Sequence, residues 1–117
     1  MAQPQITYRG MSHSPAMDAK IIELAAKLEE LHPKITRCHV VVLETDRHKQ
    51  KGNLFQVHVD LHVPGHDVVA TQKASEDAYV AITGAFEAAS RQLEDVARIR
   101  RGEVKAHREE RGDNTTP

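Results

Sequence analysis

The stretch that decides how this chain folds is residues 75–111, SEDAYVAITGAFEAASRQLEDVARIRRGEVKAHREER. Its apolar residues recur at intervals of three and four, the spacing that places side chains on one face of an α-helix. Ser75 is suited to cap the N-terminus of this helix, and Glu76 and Asp77 would place negative charge at the positive end of its dipole. We therefore predict one long helix with an apolar stripe formed by Tyr79, Ile82, Phe86, Ala89, Leu93 and Val96.

The second half of the same helix differs in composition. The apolar stripe fails after Ile99. Arg100 falls on the face of Ile82 and Leu93, where continued packing would require an apolar residue. The helix should therefore pack against the rest of the domain to about Ile99 and continue beyond it as a basic arm. The side chains that make this arm basic are Arg98, Arg100, Arg101, Lys105 and Arg108.

Length and composition indicate one domain of a soluble protein. We place the domain at residues 1–111 and a disordered tail at 112–117. No apolar run approaches the roughly 18 residues that a membrane span needs, and the N-terminus lacks a secretory signal. The only cysteine, Cys38, lies in an apolar run and is expected to be a buried thiol in a reducing compartment. The predicted location is therefore the cytoplasm.

The remaining sequence predicts an α+β fold in the order β-α-β-β-β-α. A strand is expected at 5–9, and a helix from Ser14 as N-cap to about His32, where Pro33 ends it. Three strands follow at 35–45, 54–63 and 68–72. The β-branched run in the first of these three favours an inner strand. We expect a four-stranded sheet with two helices on one face and an antiparallel meander for the last three strands, and the first strand can run parallel to a neighbour.

Alternating polar residues on the third strand raise the question of a metal site. Alternate residues on a strand lie roughly 6.6 Å apart, whereas metal ligands must meet at one point with bonds of about 2 Å. We favour a solvated sheet face. The same face could also contact a polyanion if its histidines are protonated. No cofactor is predicted. The row consists of His58, Asp60 and His62, with His39 on the neighbouring strand.

The sequence carries no pattern that indicates an enzyme. There is no glycine-rich phosphate loop, no paired-carboxylate motif and no Ser/His/Asp spacing. Cys38 and His39 are adjacent, but neighbouring residues of a strand point to opposite faces, so their side chains should diverge. We predict that the protein is not an enzyme and has no small-molecule substrate.

Charge is distributed unevenly along a chain whose net charge is only −1. Acidic residues outnumber basic ones by four over 76–95, and basic residues outnumber acidic ones by three over 98–111. Helical ion pairs from Glu87 to Arg91 and from Glu94 to Arg98 would make an ordinary solvated face. Beyond Arg98 the basic excess favours an anionic partner. A second basic cluster, either a phosphate contact or a charged turn, is Arg47, His48, Lys49 and Lys51.

Several short segments, in this order and spacing, resemble the ribosome hibernation promoting factors and ribosome-associated translation inhibitors, also called sigma-54 modulation proteins. The resemblance covers about residues 5–100. Its most specific part is the beginning of the long helix. The segments are ITYRG at 6–10, SPA at 14–16, AKLE at 26–29, PG at 64–65, EDAYVAI at 76–82 and RQL at 91–93.

This resemblance implies a domain similar to double-stranded-RNA-binding folds. It implies binding to the small ribosomal subunit and its RNA near the decoding region, with steric inhibition of translation in stationary phase or stress. Helix residues contact RNA in this family, and by position Lys27 and Arg91 carry over. The family usually has lysines where this chain has Ala88 and Asp95.

The resemblance also implies a short family member without the second, dimerising domain of long members. Such a protein is expected to be a monomer off the ribosome. A different hypothesis is a protein-interaction or regulatory module of the same fold that no longer binds ribosomes. The near-zero net charge and the lost lysines are the features that support it.

Overall fold

The computed structural model describes residues 3–46 and 53–100, and it confirms the predicted α+β fold. The predicted extension of the last helix to residue 111 and the predicted tail at 112–117 lie outside these residues. The elements in chain order are β1 (Gln5–Arg9), α1 (Pro15–Leu31), β2 (Arg37–Asp46), β3 (Asn53–Val63), β4 (His66–Thr71) and α2 (Ala78–Arg100).

The four strands form one mixed sheet in the order β1-β2-β3-β4. β1 runs parallel to β2 and, as predicted, the other neighbours are antiparallel. Val40 of β2 pairs with Ile6 on one side and Val59 on the other, so β2 is an inner strand. Gly65, with φ 79°, makes a tight turn that lets His66 pair with Val63. This turn starts β4 two residues earlier than the sequence predicted.

Both helices cover one face of the sheet. The alternation along β3 leaves Val57, Val59 and Leu61 fully buried, whereas the residues between them are only partly covered. The same face includes Val40 and Val42 of β2 and Ala70 of β4. The helix side chains that complete this aliphatic core are Ile21, Ala25 and Leu28 on α1 and Ala81, Ile82, Ala85, Phe86, Ala89 and Leu93 on α2.

The first helix begins and ends where the sequence predicted. Ser14 is the N-cap, and its Oγ accepts a hydrogen bond from the backbone N–H of Met17 at 3.2 Å. Pro15 occupies the first turn, where its missing N–H costs nothing. The helix closes at His32, whose N–H donates to the carbonyl of Leu28, directly before Pro33.

The start of α2 differs from the prediction. Ser75 is not the N-cap, because its backbone forms two hydrogen bonds with Phe55 of β3, at 2.7 and 2.9 Å. The helix therefore begins only at Ala78. Asp77 takes the capping role, since its Oδ1 accepts from the N–H groups of Tyr79 and Val80.

Two other expectations about α2 were wrong. Tyr79 is 41% exposed, because small residues such as Ala78, Ala81 and Ala85 form the contact with the sheet in these first turns. At the other end Ile99 is 55% exposed, so packing ends near Val96, about one turn earlier than predicted. The helix lies close to the strands, since a Cβ on Gly84 would stand 2.7 Å from Cγ of Gln72.

The two helices lie side by side and run in the same direction. Lys20 near the start of α1 lines a groove with Thr83 near the start of α2, and Leu31 at the end of α1 lines a cavity with Ala97 near the end of α2. The Phe55–Ser75 pairing places the helix N-termini at the end of the sheet where Asp46 pairs with Asn53. We call this the N-terminal end of the helix layer, and the opposite one its C-terminal end.

Candidate nucleic-acid interface

On α1, the predicted RNA contact Lys27 is exposed but shares an acidic partner. Its side chain is 67% exposed and lies 3.5 Å from the carboxylate of Glu23. Lys20 approaches the other oxygen of the same carboxylate at 3.8 Å. Such exposed helical pairs are weak, so a phosphate could replace Glu23 at little cost. Together the three residues present one net positive charge.

On α2, the predicted contacts Arg91 and Arg98 differ from each other. Arg91 is exposed and forms no ion pair with a described residue. Arg98 pairs with Asp95, three residues earlier, rather than with Glu94. The predicted pair between Glu87 and Arg91 is not formed either. Among the described side chains of α2, Arg91 is therefore a cation that is available without breaking an existing pair.

The helix side as a whole is acidic rather than basic. Within their described bounds, α1 and α2 carry five basic and seven acidic residues. A general attraction to polyanions therefore does not arise from this surface. Any contact of these two helices with nucleic acid must depend on particular positions, and Lys27 and Arg91 are exposed positions that the sequence singled out.

A groove between the helices contains residues that the sequence reasoning missed. Lys20 lines it from α1, and Tyr79, Val80 and Thr83 line it from α2, with Glu87 at one end. Lys20 stands seven residues before Lys27, a spacing that returns to the same helix face. That spacing was the signal by which it could have been found. The groove pairs a cation and a hydroxyl with an exposed aromatic ring.

The two predicted basic clusters are attached at opposite ends of the helix layer. Residues 47–52 join Asp46 to Asn53 at the N-terminal end, whereas α2 carries Arg98 to the C-terminal end. A helix of this length separates its ends by about 33 Å. The structure therefore does not bring the clusters together at these attachment points. Outside the described side chains lie Arg47, His48, Lys49, Lys51, Arg100, Arg101, Lys105 and Arg108.

A hydrogen-bonded cluster holds the N-terminus of α1 against β1. The hydroxyl of Tyr8 donates to Asp18 Oδ1 at 2.7 Å and to the carbonyl of Ser14 at 3.0 Å, and His13 bonds the other Asp18 oxygen. The Tyr8 hydrogen bond, followed by that of His13, lowers the pKa of Asp18. Burial and the hydrogen bond to Asp18 raise the pKa of Tyr8 above its usual range. The cluster therefore joins α1 to β1 through hydrogen bonds.

The open face of the sheet keeps its histidines apart. His39 bonds Thr7 at 2.9 Å, His58 bonds Thr71 at 2.8 Å, and His62 bonds Asp67 at 2.6 Å. Each ring therefore has a different hydrogen-bond partner. Within residues 3–46 and 53–100, no three His, Cys, Asp or Glu side chains are grouped to hold a metal ion.

Cys38 and His39 lie on opposite faces of β2, as predicted. Cys38 is buried in the core, and His39 lies on the open face with Thr7. Burial, with a smaller contribution from Asp60, raises the pKa of the Cys38 thiol to about 11. The thiol is therefore neither ionised at neutral pH nor placed against an imidazole base.

Comparison with known proteins identifies a family and a common fold. Residues 5–101 match the family model described as sigma 54 modulation protein / S30EA ribosomal protein. A ribosomal subunit interface protein from Coxiella burnetii has a similar structure, with a TM-score of 0.67 and 18% identity over 80% of this chain and 94% of that one. The Protein Y N-terminal domain from Thermus thermophilus gives a TM-score of 0.63 and 17% identity over 82% and 99%. Among curated protein sequences none matches.

No helix within the described residues is long and apolar enough to cross a membrane.

Proposed function

The chain belongs to the sigma 54 modulation protein / S30EA ribosomal protein family, and from this premise we propose that it binds the small ribosomal subunit near the decoding region. Binding there inhibits translation by steric occlusion when growth stops or stress begins. The action requires no enzymatic chemistry and no cofactor. We further propose that the protein is cytoplasmic and monomeric off the ribosome.

The observation that carries this proposal is the family match over 97 consecutive residues, 5–101, which include every helix and strand. The fold shared with a ribosomal subunit interface protein supports it. The exposure of Lys27 and Arg91 on the two helices is a second support, since Arg91 forms no ion pair with a described residue and the exposed pair of Lys27 with Glu23 is weak. The RNA contact is proposed to include these two residues and the basic clusters at Arg47, His48, Lys49, Lys51, Arg98, Arg100, Arg101, Lys105 and Arg108.

Co-sedimentation with purified small ribosomal subunits over a salt series tests the proposal. Wild-type protein should sediment with the subunit, and its affinity should fall as salt rises, because phosphate contacts release counterions. The double variant Lys27→Gln and Arg91→Gln should bind about tenfold more weakly, with a salt slope smaller by roughly two.

A matched control is Lys73→Gln, which removes an exposed lysine from the segment before α2. It should leave both affinity and slope within twofold of the wild type. Wild-type protein that stays in the supernatant at low salt would overturn the proposal. A normal affinity for the double variant would place the RNA contact on other residues.

A protein-interaction module of the same fold is the second candidate. The observation in its favour is the excess of acidic over basic residues on the two helices, which suits a basic protein surface better than RNA. Affinity capture from a stationary-phase extract, with and without nuclease, distinguishes the two. Recovery of one protein and no ribosomal RNA would select the module.

A further inference from the structure

A cavity opens at the C-terminal end of the helix layer. Its volume is about 290 Å³, and it lies where the end of α1, the end of β3 and the last turns of α2 meet. Its walls are mainly apolar. The residues that define its chemistry are Leu31, His32, Lys34, Val63, Val96 and Ala97.

One polar atom at this cavity has no partner. Nε2 of His32 is buried and accepts or donates no hydrogen bond within the described part of the chain. Buried polar atoms in folded proteins are almost always hydrogen-bonded to protein, water or ligand. The backbone of His32 is held in place, because its N–H bonds Leu28 and its carbonyl accepts from Ile35. Nε2 has less than 1 Å² of accessible surface, so a guest in the cavity supplies its missing partner only when the imidazole ring turns toward the cavity.

A cation lies at the same cavity. Lys34 is exposed, lines the cavity and forms no ion pair with a described residue. Protonated at Nε2, the His32 ring is a donor, as the Lys34 ammonium always is. Two donors beside apolar walls favour an acceptor that carries negative charge. Leu31 at the opening is 70% exposed, which leaves apolar surface for the same guest.

We propose that this cavity binds a small organic carboxylate. Its oxygens accept hydrogen bonds from His32 and Lys34, and its apolar body lies against Val63, Val96 and Ala97. The volume is at the lower limit of ordinary ligand sites, which are about 300–1,000 Å³. At roughly 30 Å³ per non-hydrogen atom, by analogy with water, the ligand contains about ten such atoms. The site does not depend on the proposed ribosome contact.

Titration of the full chain with phenylacetate, followed by ¹H–¹⁵N NMR, tests this site. Shifts should be confined to residues around 31–34, 63 and 93–97, with a Kd on the order of 1 mM for a ligand of this size. The side-chain ¹⁵N signals of His32 should also move as Nε2 gains its partner. Phenylacetamide has the same shape without the charge and should bind at least tenfold more weakly. Acetate has the charge without the apolar body and should bind too weakly to saturate.

Two variants separate the parts of the site. Lys34→Gln changes an exposed side chain, so the fold should persist while phenylacetate binding falls roughly tenfold. Ala97→Phe should fill the cavity and abolish binding, with circular dichroism confirming the fold. Lys73→Gln, two residues before the Phe55–Ser75 pairing at the opposite end of the helix layer, should bind as the wild type does. Equal binding of phenylacetate and phenylacetamide, unchanged binding by both cavity variants, or no confined shifts would overturn the proposal.

Discussion

The two ends of the helix layer are built differently. At the N-terminal end, Ser14 and Asp77 cap the two helices, Tyr8 bonds Asp18, and Phe55 pairs with Ser75. At the C-terminal end, Leu31 and Ile99 are exposed, and Nε2 of His32, beside an open cavity, has no hydrogen-bond partner within residues 3–46 and 53–100. The N-terminal end therefore has more hydrogen bonds between elements, and the C-terminal end has more exposed apolar surface.

This difference bears on how such a domain can be stable and still bind. Hydrogen bonds between elements at the N-terminal end of the helix layer order the helices and strands. The C-terminal end therefore need not be optimised for packing. The predicted basic arm also continues from the C-terminal end. Binding there would use surface whose alteration costs little stability. Three measurements test whether the contrast is energetic as well as geometric.

The largest expected effect comes from truncating core side chains of α2 toward each end. Ile82 is fully buried in the first half of the helix, and Leu93 borders the cavity. We expect Ile82→Ala to lower the free energy of unfolding by about 4 kcal/mol and Leu93→Ala by about 2.5 kcal/mol, because the open cavity lets its neighbours relax. Urea unfolding of both variants gives the comparison. A larger loss for Leu93→Ala would contradict the proposed distribution of stability.

A smaller effect is expected from the turn that follows β1. Gly10 has φ 73°, and a Cβ there would stand 2.3 Å from the carbonyl oxygen of Glu44. We expect Gly10→Ala to cost about 3 kcal/mol, from the left-handed backbone and the clash together. Gly65→Ala is the control, because φ 79° at an exposed turn isolates the backbone contribution at about 1 kcal/mol. If thermal unfolding shows a similar loss of stability for Gly10→Ala and Gly65→Ala, the backbone of Glu44 moves without cost.

The smallest effect concerns acid sensitivity at the N-terminal end. The pKa of Asp18 is lowered from 3.8 in the folded protein, so its charged form is favoured by folding. That stability is fully present above pH 3.8 and is lost as the pH falls through the folded pKa. We expect Tyr8→Phe to cost about 1 kcal/mol at pH 7 through the lost hydrogen bond. The difference in the free energy of unfolding between Tyr8→Phe and the wild type should become smaller in acid.

Urea unfolding of wild type and Tyr8→Phe from pH 7 down to pH 3 measures this change. Asp67 also has a lowered pKa, through His62, so both proteins should share a background loss of stability in acid. His62→Gln removes that background and serves as the control. A Tyr8→Phe difference that stays constant down to pH 3 would show that the Asp18 charge does not contribute.

The elements of the fold were predictable because local patterns specify them. Alternation along β3 placed its polar residues on one face, spacing along α2 showed most of its apolar stripe, and Pro33 marked the end of α1. The start of α2 was not predictable. Ser75 is a good N-cap by composition, but its backbone is held by Phe55, twenty positions earlier. Local propensity does not include a pairing between distant segments.

For the candidate interface, the sequence by itself determined which residues are charged, and the family resemblance singled out Lys27 and Arg91. Only the tertiary structure decided which charges are available: Glu23 lies between two lysines, Asp95 pairs with Arg98, and Arg91 forms no ion pair with a described residue. It also decided that the two basic clusters are attached at opposite ends and that a cavity remains beside His32. Periodicity along a chain determines which face of each element is apolar. The relative placement of the elements depends on contacts between residues far apart in sequence, and these decide what surface remains for a partner.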